Sequence, residues 1–154
     1  MPSDPIFAFR PAVPSDAAMV REITRAAYAK WVPVVGREPM PMRADYERAI
    51  AEHRIEILTV DGAVVGLIEM MIRPDHLWIE NVVVTPARQG QGFGRRLMDR
   101  AENIAAGARL SGIRLLTNGA FDANIAMYKA LGYRIDREEP FREGGTTVYM
   151  SKVI

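Results

Sequence analysis

The stretch Leu77–Thr85, followed by Pro86 and then by Gln89-Gly90-Gln91-Gly92-Phe93-Gly94, constrains this chain more than any other. Its first part is a short apolar run rich in Val and Ile, the pattern of a buried strand. Proline cannot donate to a ladder, so Pro86 ends that strand. Three glycines then stand at alternate positions, and a helical period follows directly. Gly94, Leu97, Met98, Ala101, Ile104, Ala105 and Ala108 share one face of that helix. Glycines let backbone N–H groups approach a ligand without a Cβ in the way. The first helical turn adds unpaired N–H groups and a partial positive charge, which together make an anion cradle. Arg95 and Arg96 bring formal charge to its rim. The guest such a turn fits is a phosphate or pyrophosphate. Its plain alternative is a tight connection from strand to helix.

Two familiar phosphate motifs are excluded by spacing. A Walker loop ends in Gly-Lys-Ser/Thr, whereas Gly94 is followed by Arg95, Arg96 and Leu97. The dinucleotide fingerprint is G-x-G-x-x-G, and here the spacing is G-x-G-x-G. What remains is Q-x-x-G-x-G at Gln89, Gly92 and Gly94, after a V-x-V strand (Val82, Val84) and a proline. This string resembles the acyl-CoA loop of the Gcn5-related N-acetyltransferase (GNAT) superfamily, and the chain reads as a small bacterial-type member. The resemblance implies acetyl-CoA as co-substrate and no metal. It implies that Gln89, Gly90, Gln91, Gly92, Phe93, Gly94 and Arg95 hold the CoA pyrophosphate, while Val82, Val83 and Val84 pair with the pantetheine arm.

Taken in order, the chain supports that fold. Ile6–Arg10 reads as a first strand, closed by Pro11 and Pro14. Ser15 and Asp16 offer N-cap chemistry to a helix carrying Val20, Ile23, Ala27 and Tyr28 near one face. Pro33, Gly36, Pro39 and Pro41 make Trp31–Met42 a loop, and a second helix covers about Arg43–Glu52. Arg54–Val60 and Ala63–Arg73 are strands joined by a hairpin turn at Asp61-Gly62. Pro74-Asp75 turns the chain into Leu77–Thr85, which completes an antiparallel meander. After the Gly94 helix come a strand at Ile113–Thr117 and a helix capped by Asp122 that runs to Leu131 and stops at Gly132. Tyr133–Arg137 and Thr146–Lys152 pair around Glu143-Gly144-Gly145. The order β-α-α-β-β-β-α-β-α-β-β is a mixed α/β sheet with helices on both faces. The resemblance adds that the strands flanking the Gly94 helix splay and admit the cofactor.

A length of 154 residues suits a single domain spanning 1–154. A net charge of +1 gives no global reason to expect nucleic acid or an anionic membrane as partner. With no cysteine, disulfides and thiol catalysis are both ruled out. The first residues hold no apolar run long enough for a signal peptide or a span, so a cytoplasmic protein is expected. A homodimer is left open. His53 and His76 sit far apart at element ends with no metal-ligand spacing, and surface roles are expected for both.

A second motif lies at Tyr128, Gly132 and Tyr133, which resembles the family's closing Y-x-x-x-G-F/Y signature. Asn124 lies one helical turn before Tyr128 on the same face. The chain departs from the commonest form of the signature, because Phe121 and Asn124 stand where asparagine and alanine are usual. Asn124 is therefore a cofactor contact by geometry more than by motif.

The chemistry implied is transfer of an acetyl group from a thioester to a primary amine of a small molecule or peptide. The amine attacks directly, so no enzyme nucleophile is needed. An acid must protonate the departing thiolate, and Tyr128 is a phenol that stays protonated at neutral pH. A backbone amide near Val82–Val84 would polarise the thioester carbonyl. For the base, Glu80 shares a face with Trp78, Val82 and Val84 under strict alternation, and Glu69 on the neighbouring strand is its rival. A bulge in the central strand would change which of them faces the cleft. Tyr28, Trp31 and Tyr46, with Met40 and Met42, either wall an acceptor pocket or pack the loop onto the sheet. Two further readings stay open. One is a non-catalytic acyl-CoA-binding module. The other is acetylation of aminoacyl-tRNA, against which the near-neutral charge counts.

Overall fold

The computed structural model describes residues 4–154. Among them the elements run β1 (Phe7–Pro11), α1 (Ala17–Tyr28), α2 (Val32–Val35), α3 (Tyr46–Glu52), β2 (Arg54–Val60), β3 (Ala63–Ile72), β4 (His76–Val84), α4 (Phe93–Gly107), β5 (Gly112–Asn118), α5 (Asp122–Ala130), β6 (Arg134–Pro140) and β7 (Thr146–Val153). This is the expected order with one addition. The Trp31–Met42 segment is not a plain loop. It forms the single turn α2, which Gly36 ends in the left-handed region at φ 76°, and then a 3-10 turn at Met40–Arg43. That second turn delays α3 to Tyr46, where Asp45 is the N-cap and its side chain accepts from the Arg48 N–H. Asp122 does not cap α5 as expected; it lies in the first turn, where its charge still complements the helix dipole.

The seven strands form one sheet in the order β1-β2-β3-β4-β5-β7-β6, antiparallel except between β4 and β5. The β2–β3 turn places Asp61 at φ 50° and Gly62 at φ 83°, the two positive values a two-residue hairpin requires. Helix α4 crosses from β4 to β5 and buries Phe93, Leu97, Met98, Ala101, Ile104 and Ala105 against one face of the sheet. Each such large side chain contributes roughly 1.5–3 kcal/mol of burial. Helices α1 and α3 cover the other face over β2, β3 and part of β4, where Val20 and Tyr46 pack on Ile55, Ile57, Leu67 and Val83.

The β3–β4 ladder carries one irregularity. Glu69 pairs with Asn81, but the next residue, Met70, pairs with Ile79, so Glu80 is an extra residue on β4. A bulge increases local twist and bends its strand. The β4–β5 pairing ends at the same level: it joins His76–Ile79 to Gly112–Leu115 and goes no further. Beyond Ile79 the two strands part, and a V-shaped gap opens between them.

Candidate active site

The gap holds two hollows. One, of about 360 Å³, lies on the side of the glycine turn; the other, of about 260 Å³, lies toward the Val35–Pro41 segment and the β6–β7 hairpin. Tyr28, Val82, Asn124 and Tyr128 line both, so the hollows meet at these four residues.

The β4 edge in the gap has unpaired backbone groups. Alternate residues of a strand direct their N–H and C=O to opposite edges. The Thr85 N–H donates to Val65 O at 2.9 Å, which fixes Val83 and Asn81 as the residues bonded to β3. Val82 and Val84 therefore turn their peptide groups toward the gap. The Val84 carbonyl is already engaged, accepting from Gln89 Nε2 at 3.0 Å. The other end of that amide accepts from Lys30 Nζ at 2.8 Å, so Gln89 ties the turn to both β4 and the end of α1. The side chain of Val83, expected beside the cofactor, is buried under α1 and α3 instead.

Gly90 at φ 78° and Gly92 at φ 86° adopt the left-handed conformation that disfavours a Cβ. Gly92 is the N-cap of α4, and no side chain caps the helix there. The first-turn N–H groups thus remain available at the hollow, beside Lys30, Arg88 and Arg95. Arg96 is not at the rim as expected; its guanidinium lies 3.5 Å from the Phe7 ring centroid. Gln91 also turns away from the hollow, donating from Nε2 to Ala87 O at 3.2 Å. Gly94 serves packing as well: a Cβ there would stand 3.0 Å from Met127 Sδ of α5.

On the other side of the junction lies a polar chain that sequence reading missed. Tyr28 Oη donates to Asn81 Oδ1 at 2.7 Å, Asn81 Nδ2 donates to Tyr46 Oη at 3.4 Å, and Tyr46 Oη donates to Pro41 O at 2.6 Å. Asn81 is a buried amide between exposed Glu80 and the apolar run Val82–Val84. Buried polar groups need partners, and that was the available signal. Of the side chains expected to wall an acceptor pocket, Tyr28 does line the hollow. Tyr46 is only 1% exposed and lines neither hollow, because its ring belongs to the α1–α3 core. Trp31 lines the glycine-turn hollow, stacked on Phe121 with centroids 4.6 Å apart.

The two candidate bases are separated by the bulge. Glu80 keeps the face of Trp78, whose Nε1 donates to Glu80 Oε2 at 2.7 Å. It does not share the face of Val82 and Val84, which pack toward α4, because the extra residue reverses the alternation. Nor is it buried among apolar neighbours: it is exposed and lines the hollow toward the Val35–Pro41 segment. Glu69 is buried and lines neither hollow. His53 Nδ1 lies 2.6 Å from Glu69 Oε2, so His53 holds a buried carboxyl and not the plain surface role expected. His76 lies 2.7 Å from Asp75. Burial raises the Glu69 pKa, the His53 contact opposes this, and the Glu80 charge adds to the rise.

Tyr128 occupies the junction, tilted against Tyr133 at 6.0 Å. Burial alone pushes its phenol up to about 12, so it carries a proton throughout the neutral range. Burial also raises Tyr28, to which the neighbouring Tyr128, Tyr46, Glu69 and Glu80 add. A helix N-terminus without a side-chain cap, an open strand edge, a protonated phenol and an accessible carboxyl group therefore converge on one gap.

A family model described as "Acetyltransferase (GNAT) family" matches residues 18–133. Solved structures of similar fold include the PaiA N-acetyltransferase of Thermoplasma acidophilum in complex with coenzyme A, at TM-score 0.84 and 16% identity, covering 97% of this chain and 99% of that one. A GCN5-related N-acetyltransferase of Rhodopseudomonas palustris matches at TM-score 0.80 and 23% identity, covering 99% and 97%. The ribosomal-protein-S18-alanine N-acetyltransferase of Escherichia coli matches at TM-score 0.74 and 19% identity, covering 97% and 94%.

Proposed function

The chain belongs to the acetyltransferase (GNAT) family, and from that premise we propose that it transfers an acetyl group from acetyl-CoA to a primary amine by direct attack in a ternary complex. The observation that carries the proposal is the meeting of two hollows at Tyr128, across strands that part at Glu80. That the Thermoplasma structure was solved in complex with coenzyme A supports acetyl-CoA as the co-substrate.

In this reading the N–H groups of the Gly90–Arg95 turn, with Lys30, Arg88 and Arg95, hold the pyrophosphate. The peptide groups of Val82 and the Val84 N–H receive the pantetheine arm as an added strand would be received. Asn124 flanks it from α5. The Val82 N–H is aimed at the thioester carbonyl and stabilises negative charge on its oxygen. The amine enters from the acceptor-side hollow and its nitrogen bonds to the carbonyl carbon. Glu80 accepts the amine proton, directly or through one water. As the carbon–sulfur bond breaks, the Tyr128 hydroxyl gives its proton to the departing sulfur. The phenol is regenerated from solvent.

Titration calorimetry with coenzyme A tests the cofactor half. One site per chain is expected in the wild type. In Gly92→Val the φ of 86° costs roughly 1–2 kcal/mol of folding, and the new side chain projects from the open end of α4. Binding should weaken sharply while circular dichroism still reports a folded chain. Wild-type affinity in folded Gly92→Val would refute the phosphate-turn reading.

A further inference from the structure

We infer that the acceptor is a compact monoamine with an uncharged, apolar body, an alkyl- or aralkylamine, and not an amino acid or a polyamine; this rests on the acetyltransferase reading of the cleft. The charges around the acceptor-side hollow favour such a substrate. Among the described residues its lining has two formally charged side chains, Glu80 and Arg37. Arg37 is occupied. Its Nη1 donates to Glu143 O at 3.0 Å, its Nη2 donates to Gly144 O at 2.9 Å, and its Nε lies 3.4 Å from Glu143 Oε2. Its guanidinium also lies 5.3 Å from the Phe141 ring centroid. A substrate carboxylate would find no free cation here and would face Glu80.

Glu80 is the opposite case. Its carboxylate accepts only a neutral indole N–H, from Trp78, and no cation pairs with it among the described residues. One unneutralised negative charge therefore faces the hollow and fits one ammonium group. Nothing on the far wall repeats it. Val35, Pro39, Met40, Leu116 and Phe141 present hydrocarbon and thioether surface. The nearby carboxylates are already paired, Glu143 with Arg37 and Arg43, and Glu38 with Arg25. A second ammonium would find no second carboxylate, only apolar surface and neutral groups such as Asn118 and Thr147, which leaves its charge uncompensated at a cost. A neutral alkyl or aryl body would bury there favourably. The volume of about 260 Å³ limits that body to something small.

A matched series tests this. Acetylation would be followed with 2-phenylethylamine, phenylalanine amide, phenylalanine, the peptide Phe-Gly-Gly, 1,4-diaminobutane and spermidine, with coenzyme A binding measured in parallel. The expected order of kcat/KM is 2-phenylethylamine first, phenylalanine amide next, and phenylalanine and the two polyamines lower by about 10²-fold. Met40→Glu places a carboxylate on the apolar wall and should raise the ratio of 1,4-diaminobutane to 2-phenylethylamine by about tenfold. The inference is overturned if phenylalanine, the peptide or spermidine ranks first, or if the Met40→Glu ratio does not move. In each of these cases the acetyltransferase reading stands. The inference also falls if coenzyme A binds but none of the series is acetylated, an outcome that favours the non-catalytic acyl-CoA-binding module. If coenzyme A does not bind, both fall together.

Discussion

Replacing Asn81 with leucine removes the centre of the Tyr28–Asn81–Tyr46 chain while keeping the number and branching of side-chain heavy atoms. Tyr46 loses little, because its bond from Asn81 is 3.4 Å long and its hydroxyl keeps Pro41 O at 2.6 Å. Tyr28 loses its 2.7 Å acceptor at a half-buried site. A buried donor left without a partner costs about 1–3 kcal/mol, so Asn81→Leu should destabilise by about 1 kcal/mol, the lower end of that range. Tyr28→Phe leaves the Asn81 carbonyl oxygen unpaired and should cost a similar amount. The double variant leaves neither group stranded, because replacing both partners by apolar groups is close to neutral. The double variant should therefore fall short of the sum of the two single costs by about 2 kcal/mol. Urea unfolding of the four proteins would measure it as shifts in midpoint at constant slope. If the two single effects add to within about 0.5 kcal/mol, the chain is not a unit and the reasoning is wrong. Because Tyr28 lines both hollows, Asn81→Leu should also disturb amine KM.

Placement and charge set two other outcomes. Trp31→Ala removes a wall of the glycine-turn hollow and the stack on Phe121, so the Kd for coenzyme A should rise while amine KM stays close to the wild type; titration calorimetry beside steady-state kinetics separates the two. The Glu69 carboxyl has its folded pKa raised above 4.5, chiefly by burial, so the folded chain holds this proton more tightly and stability falls as pH rises from 4.5 through the folded value. Glu69→Gln should flatten that fall in melts recorded between pH 4 and 7, and an unchanged pH profile would contradict it.

Much of this architecture was legible from local pattern. The Asp61-Gly62 turn, the α4 face and the strand–proline–glycine string depend on neighbours in sequence, and each formed within a residue or two of its expected place. The string also pointed to the family. What stayed hidden depends on neighbours in space. Alternation alone could not reveal that Glu80 is an extra residue, because a bulge is set by the pairing of two strands. That one residue reverses which side chains join Val82 and Val84. The buried Asn81 was overlooked because its partners Tyr28 and Tyr46 come from two helices. Trp31 and Tyr28 are close in sequence, yet only Tyr28 reaches the acceptor-side hollow, because the chain passes through short helical turns after α1. The His53–Glu69 pair likewise joins the end of one helix to the middle of a strand.

In the proposed reaction Tyr128, where the hollows meet, protonates the departing thiolate during direct attack by the amine. The most direct test of this step is single-turnover release of free coenzyme A in the wild type and in Tyr128→Phe. The chain has no cysteine, so a thiol reagent reads only the product. With acetyl-CoA bound, thiol should appear only after an amine is added, one equivalent for each acetylated amine. In Tyr128→Phe the same event should slow by about 10²–10⁴-fold, with acetyl-CoA affinity nearly unchanged. Thiol release at the wild-type rate in the variant, or a full equivalent released before any amine is present, would contradict the account.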